Sequence, residues 1–128
     1  MRENFRAINE ATALAIHEEA LRRFGGLAGV RYEGLLASAL AQPLQSFGGE
    51  ELYRSVSEKA ARYAFGIAKN HPFADGNKRS AAAIMGVAAR LNGSDFRPES
   101  EEYLSMMRGV ADGSRSADDL AAWIEGLS

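Results

Sequence analysis

The chain contains no cysteine, which excludes a disulfide framework and a thiolate metal site. That absence fits a reducing compartment without establishing one. No run approaches the roughly 18 apolar residues that a membrane-crossing helix needs, so no membrane association is expected. Charge of one sign is also lacking: 15 Lys and Arg against 17 Asp and Glu leave a net charge of −2. A dedicated nucleic-acid binder carries a basic excess or stripe, so direct nucleic-acid binding is not expected. A single nucleotide needs only a few local cations. Met1 to Glu10 mixes both charge signs without the apolar stretch of a leader, and a cytoplasmic protein is the default expectation. Sustained period-two alternation, internal repeats, low-complexity tracts and linkers are missing as well. The 128 residues therefore read as one domain, 1–128, large enough to fold around a single core.

What is present is helical. A first helix is expected over about Phe5 to Phe24, with Leu14, His17, Leu21 and Phe24 at steps of three and four and Gly25-Gly26 as its stop. Leu27 to Glu33 reads as a small loop or a single β-hairpin. A second helix spans Glu33 to Ala41, and Gln42 to Leu52 reads as an irregular connection. Ser55-Val-Ser-Glu58 matches a capping box and opens a helix to Asn70. Asn77 to Leu91 is apolar almost all round, which marks a buried central helix. Two more helices are expected over Pro98 to Val110, where Pro98 suits a first-turn position, and over Ser116 to Leu127. The predicted fold is an all-α bundle of about six helices around that buried one.

The polar run His71-Pro-Phe-Ala-Asp-Gly-Asn-Lys-Arg79 precedes the central helix. The first turn of any helix carries backbone N–H groups without internal partners, and these combine with the dipole into an anion site. Gly76 lets a phosphate approach the backbone. Lys78 and Arg79 add two cations in the same turn, and Asn77 adds an amide donor. Asp75 suits either the cap of the following helix or a Mg2+ ligand, since that ion is held by one or two carboxylates together with substrate phosphates. His71 is a residue type suited to removing a proton from a hydroxyl. Pro72 stiffens the loop and Phe73 anchors it. These parts suit phosphoryl or nucleotidyl transfer. The same run read as a capped, basic helix start would be plain structure, and the residues alone leave that open.

The nine-residue run resembles the signature of the Fic/Doc superfamily, and within it the Doc (death-on-curing) toxin branch. Fic sequences typically read H-P-F-x-[DE]-G-N-G-R-x-x-R, and Doc-type sequences have lysine in place of the second glycine, as Lys78 stands here. Ala82 stands where the Fic pattern has its second arginine. Further similar segments are Ile16-His17, Phe24-Gly-Gly26, Leu35-Leu-Ala-Ser-Ala-Leu40, Glu58-Lys-Ala-Ala61, Ala68-Lys-Asn70 and Leu91-Asn-Gly93. The resemblance implies a general base at His71, a Mg2+ ligand at Asp75 and ATP phosphate contacts at Gly76, Asn77, Lys78 and Arg79. It also implies a target-docking flap near Leu27 to Glu33, where Tyr32 replaces the acidic residue usual in Doc-like sequences. Fic proteins transfer AMP to a target hydroxyl. Doc toxins resemble them but transfer the γ-phosphate, from reversed ATP, to a threonine of elongation factor Tu. Lysine at 78 fills space that a glycine leaves for phosphate, and alanine at 82 removes a clamp, so the kinase chemistry is expected.

The resemblance further implies an antitoxin partner with a disordered tail that folds on binding. Ser46-Phe-Gly-Gly-Glu50 is the nearest approach to the internal inhibitory motif [ST]-x-x-x-E-[GN], but Glu51 follows and the segment is not helix-like. The alternatives are a Fic-type AMP transferase and a non-catalytic helical binding module with a degenerate site. Elsewhere, His17 reads as a buried structural histidine or a helper near the site. Trp123 reads as packing, and Met85, Met106 and Met107 as core filler. Arg22, Arg23 and Arg31 read as solvated surface or as a docking patch.

Overall fold

The computed structural model describes residues 4–127, the last by its backbone alone. Six α-helices follow one another: α1 (Glu10–Phe24), α2 (Glu33–Ala41), α3 (Val56–Asn70), α4 (Asn77–Leu91), α5 (Ser100–Asp112) and α6 (Ala117–Leu127). This is the expected all-α bundle. The 3-10 turn Gln42–Leu44 and two short strands, β1 (Ser46–Phe47) and β2 (Glu50–Glu51), join α2 to α3. The strands are antiparallel, Ser46 opposite Glu51 and Phe47 opposite Glu50.

Helix starts follow local hydrogen-bonding chemistry. At α3 the capping box forms in both directions, with Glu58 N donating to Ser55 Oγ at 3.0 Å and Ser55 N to Glu58 Oε1 at 3.1 Å. Ser116 and Asp119 satisfy each other in the same way ahead of α6. α1 begins later than the apolar spacing predicts. Asn9 Oδ1 accepts from Thr12 N at 2.8 Å, which sets the first turn at Glu10. The preceding residues are held by side chains of the bundle instead: Ile8 is buried and its N–H donates to Tyr63 Oη at 2.8 Å. The apolar stripe of α1 also rotates, burying Ala13, His17 and Ala20 and leaving Phe24 57 % exposed. α5 starts after Glu99, so Pro98 lies ahead of the helix rather than in its first turn.

The expected buried helix is α4, which buries Ser80, Ala81, Ala82, Ile84, Met85, Gly86, Ala88 and Ala89. It shares the centre with α3, whose buried face carries Ala60, Ala61, Tyr63, Ala64, Ile67 and Ala68. α3 packs on α2, α4, α5 and α6, while α4 packs on α1, α3 and α5. Small residues on both helices let the pair approach closely. Trp123 of α6 packs edge-on against Phe96 and Tyr103, at 4.9 and 5.7 Å between ring centres, as packing of the last helix predicts. Met85 and Met107 are buried. Arg22 and Arg23 are exposed and pair with Glu19 of their own helix.

The hairpin forms in Ser46–Glu51, where an irregular connection is expected, and not in Leu27 to Glu33. Lys59 explains its position. This lysine is 2 % exposed, and its ammonium donates to the Tyr53 and Arg54 carbonyls and lies 3.4 Å from Glu51. A buried ammonium needs this many acceptors, and meeting that need fixes the hairpin's second strand to α3. Because Ser46 to Glu50 forms strand, turn and strand, it is not an inhibitory helix.

Candidate active site

The run from His71 to Arg79 bridges the C-terminus of α3 and the N-terminus of α4, the two central helices. α3 ends because His71 takes the left-handed conformation, φ 49° and ψ 55°, with its N–H still bonded to Ile67 O at 3.1 Å. It is the one non-glycine residue with positive φ among the described residues. Such a conformation is uncommon for residues with a Cβ and holds where the surroundings enforce it. The turn leaves the imidazole exposed at the mouth of a cleft.

Three features enforce that turn. Phe73 is buried and stacks flat on His17, with ring centres 3.8 Å apart and 7° between planes. The Asn77 side chain closes the loop from α4: its Oδ1 accepts from Phe73 N at 3.0 Å and its Nδ2 donates to Phe73 O at 3.2 Å. The segment before α2 straps the outer edge through a single antiparallel bridge, Val30 to Phe73. Around that bridge, Arg31 N and Tyr32 N donate to Pro72 O at 2.8 and 3.0 Å, and Ala74 N donates to Gly29 O at 3.0 Å. Leu27 to Glu33 is thus a strap on the site rather than a hairpin. Tyr32 is exposed and Arg31 lies over its ring.

Gly76, φ 72°, precedes α4, and no described side chain caps the helix. The N–H groups of its first turn are open to an anion. The structure departs here from two sequence readings. Asp75 does not cap α4; its Oδ1 accepts from Gly76 N at 2.9 Å and its Oδ2 from Leu27 N at 3.2 Å. The Asn77 amide is engaged by Phe73, so what Asn77 offers a phosphate first is its backbone N–H. Gly26 explains how the strap reaches Asp75. Its φ is 121°, and a Cβ there would lie 2.9 Å from Asp75 Oδ2, so a side chain would push the carboxylate away.

One open cleft of about 380 Å³ gathers His71, Ala74, Asp75, Gly76, Asn77, Lys78 and Arg79, with Leu104 and Arg108 of α5 as its second wall. All six candidate residues therefore line one cleft. The Arg79 guanidinium rests over the Phe24 ring at 4.1 Å. Arg108 is the residue that the sequence reading missed. It lies far from the motif, and its one signal is its place one turn after Leu104 on the same face of α5.

Mg2+ fits this chemistry. Among the described residues no group of three or more His, Cys, Asp or Glu side chains could hold a metal on its own. Asp75 is a single exposed carboxylate fixed by two backbone donors, which leaves lone pairs on both oxygens. That is the donor set of an ion held jointly with substrate phosphates.

His17 belongs to the floor of the site. It is 2 % exposed, shares a 2.7 Å hydrogen bond between Nδ1 and Ser80 Oγ, and has no partner for Nε2 among the described residues. Burial pushes its pKa below the ordinary 6.5, against the opposing pull of Glu18 and Asp75. The unfolded state therefore binds the proton more readily. The resulting stabilisation is complete above pH 6.5 and is lost as pH falls through the lowered value. His17→Phe keeps the ring stack but cannot titrate. Its melting temperature is expected to fall less steeply than the wild type's from about pH 7 to pH 5, and parallel acid limbs would contradict this role.

A family model described as the Fic/DOC family matches residues 7–89. The chain is 36% identical over 109 residues to Toxin Doc of Mycolicibacterium smegmatis, covering 82% of each chain. It is 30% identical over 116 residues to Protein kinase doc of Escherichia phage P1, covering 91% of this chain and 90% of that one.

Proposed function

The chain belongs to the Fic/DOC family, and from that premise we propose that it is a Doc-like toxin that transfers the γ-phosphate of ATP to a target hydroxyl. One observation carries the reading: an exposed histidine, a fixed carboxylate, an uncapped helix start and three cations share a single cleft. Two relatives with names that include Toxin Doc and Protein kinase doc support the toxin and the transferase class.

The roles follow from placement. His71 accepts the proton of the target hydroxyl. The hydroxyl oxygen attacks the γ-phosphorus, the bond to the β–γ bridging oxygen breaks, and ADP leaves. The first-turn N–H groups of α4, opened by Gly76, hold phosphate oxygens beside Asn77, while Lys78 and Arg79 balance the charge that builds during transfer. Asp75 would hold Mg2+, which would supply charge neutralisation at the phosphates when bound. Lys78 is exposed into the cleft and Ala82 is buried without charge. A lysine there leaves less room against the backbone than a glycine would, which favours γ-phosphate transfer over AMP transfer.

The target read from the family is elongation factor Tu, modified on a threonine so that translation stops. The strap from Leu27 to Tyr32 lies beside His71 and would present a target segment to it. Neutralisation falls to a cognate antitoxin whose tail folds on this surface. Incubation of the protein with elongation factor Tu, ATP and Mg2+ is expected to add one phosphate to a threonine, read by mass. Addition of AMP would overturn the kinase reading in favour of an AMP transferase. An unmodified factor would remove it as the target.

A further inference from the structure

We infer that Arg108 of α5 is a phosphate ligand of the nucleotide, a clamp supplied from outside the nine-residue run; this rests on the reading of the cleft as an ATP site. Three cations, Lys78, Arg79 and Arg108, line the cleft with one carboxylate, Asp75. Like charges gathered at one place repel, and a polyphosphate is the ligand that relieves them. Arg90, farther along α4, is already engaged, donating to Phe96 O at 3.2 Å and Tyr103 Oη at 3.3 Å. Arg108 is exposed, and none of the ion pairs of the described residues includes it.

Its position suits the role. Lys78 and Arg79 approach a bound phosphate from the helix start that also supplies the N–H groups. Arg108 approaches from the α5 wall, so a phosphate between them meets donors on two sides. A guanidinium offers a planar fork of N–H donors that matches two oxygens of one phosphate, whereas a lysine offers only a point charge. Ala82 of α4, by contrast, is buried and uncharged and offers a phosphate no donor.

Calorimetric titration with ATP, ADP and adenosine in the presence of Mg2+ tests the assignment on the wild type, Arg108→Ala, Arg108→Lys and His71→Asn. Arg108→Ala is expected to weaken ATP binding by roughly tenfold or more, to leave adenosine binding unchanged, and to keep the wild-type melting temperature. Arg108→Lys should fall between the two, and His71→Asn should bind ATP like the wild type. Wild-type ATP affinity in Arg108→Ala would overturn the clamp and leave the ATP site standing. Equal losses for ATP and adenosine would also overturn it, because phosphate would not be the group recognised. A wild-type protein that binds no nucleotide would overturn the ATP site, and the clamp with it.

Discussion

Replacing His71 with asparagine is expected to lower transfer to the target by about 10²- to 10⁴-fold, the usual contribution of a positioned general base, while fold and nucleotide affinity persist. Asparagine is the informative replacement because of the backbone. His71 sits at φ 49° and ψ 55°, a region that asparagine tolerates better than most residues with a Cβ. His71→Ala would add backbone strain to the loss of the base and blur the two. Since the side chain is exposed, its removal opens no cavity. Rates from a quenched time course, read beside melting curves of the same preparations, separate chemistry from stability. A His71→Asn protein that transfers at near wild-type rates would remove His71 from the reaction.

The second large effect is expected at Asp75. Its carboxylate touches both Leu27 N and Gly76 N, so Asp75→Ala deletes the one acidic group of the cleft and removes one of the bonds that join the strap to the loop. Turnover should fall by about 10²-fold or more, and the rise in melting temperature given by ATP with Mg2+ should disappear. Asp75→Asn divides the two contributions. Its amide oxygen can still accept from one backbone donor, but its weaker affinity for the cation should be partly offset by raised Mg2+. An Asp75→Ala protein with an undiminished nucleotide shift would show that the carboxylate serves the strap alone.

The motif's place in the fold was legible because its signals are local. A capping box needs four residues, and Ser55 to Glu58 formed one; an all-round apolar run marked α4; glycine and asparagine marked its ends. Other features depend on contacts that no local pattern carries. The hairpin at Ser46–Glu51 has strands of two residues, too short to show alternation, and it is held by a lysine from the next helix. The start of α1 was displaced because Ile8 meets Tyr63 across the bundle. Asp75 looked like a cap because caps precede helices, yet its partner on the strap is 48 residues away in sequence. Arg108 was invisible for the same reason, since only the packing of α5 against α4 brings it to the cleft.

Which phosphate moves separates a kinase from an AMP transferase, and label transfer reads this without presuming the target. The protein is incubated with cell lysate and Mg2+ in two parallel reactions, one with ATP labelled at the γ-phosphorus and one with ATP labelled at the α-phosphorus. Each is compared with a His71→Asn control that reports the lysate's own kinases. A protein band that gains γ-label but no α-label, and is absent from the control, is the predicted result. An α-labelled band that depends on His71 would contradict it.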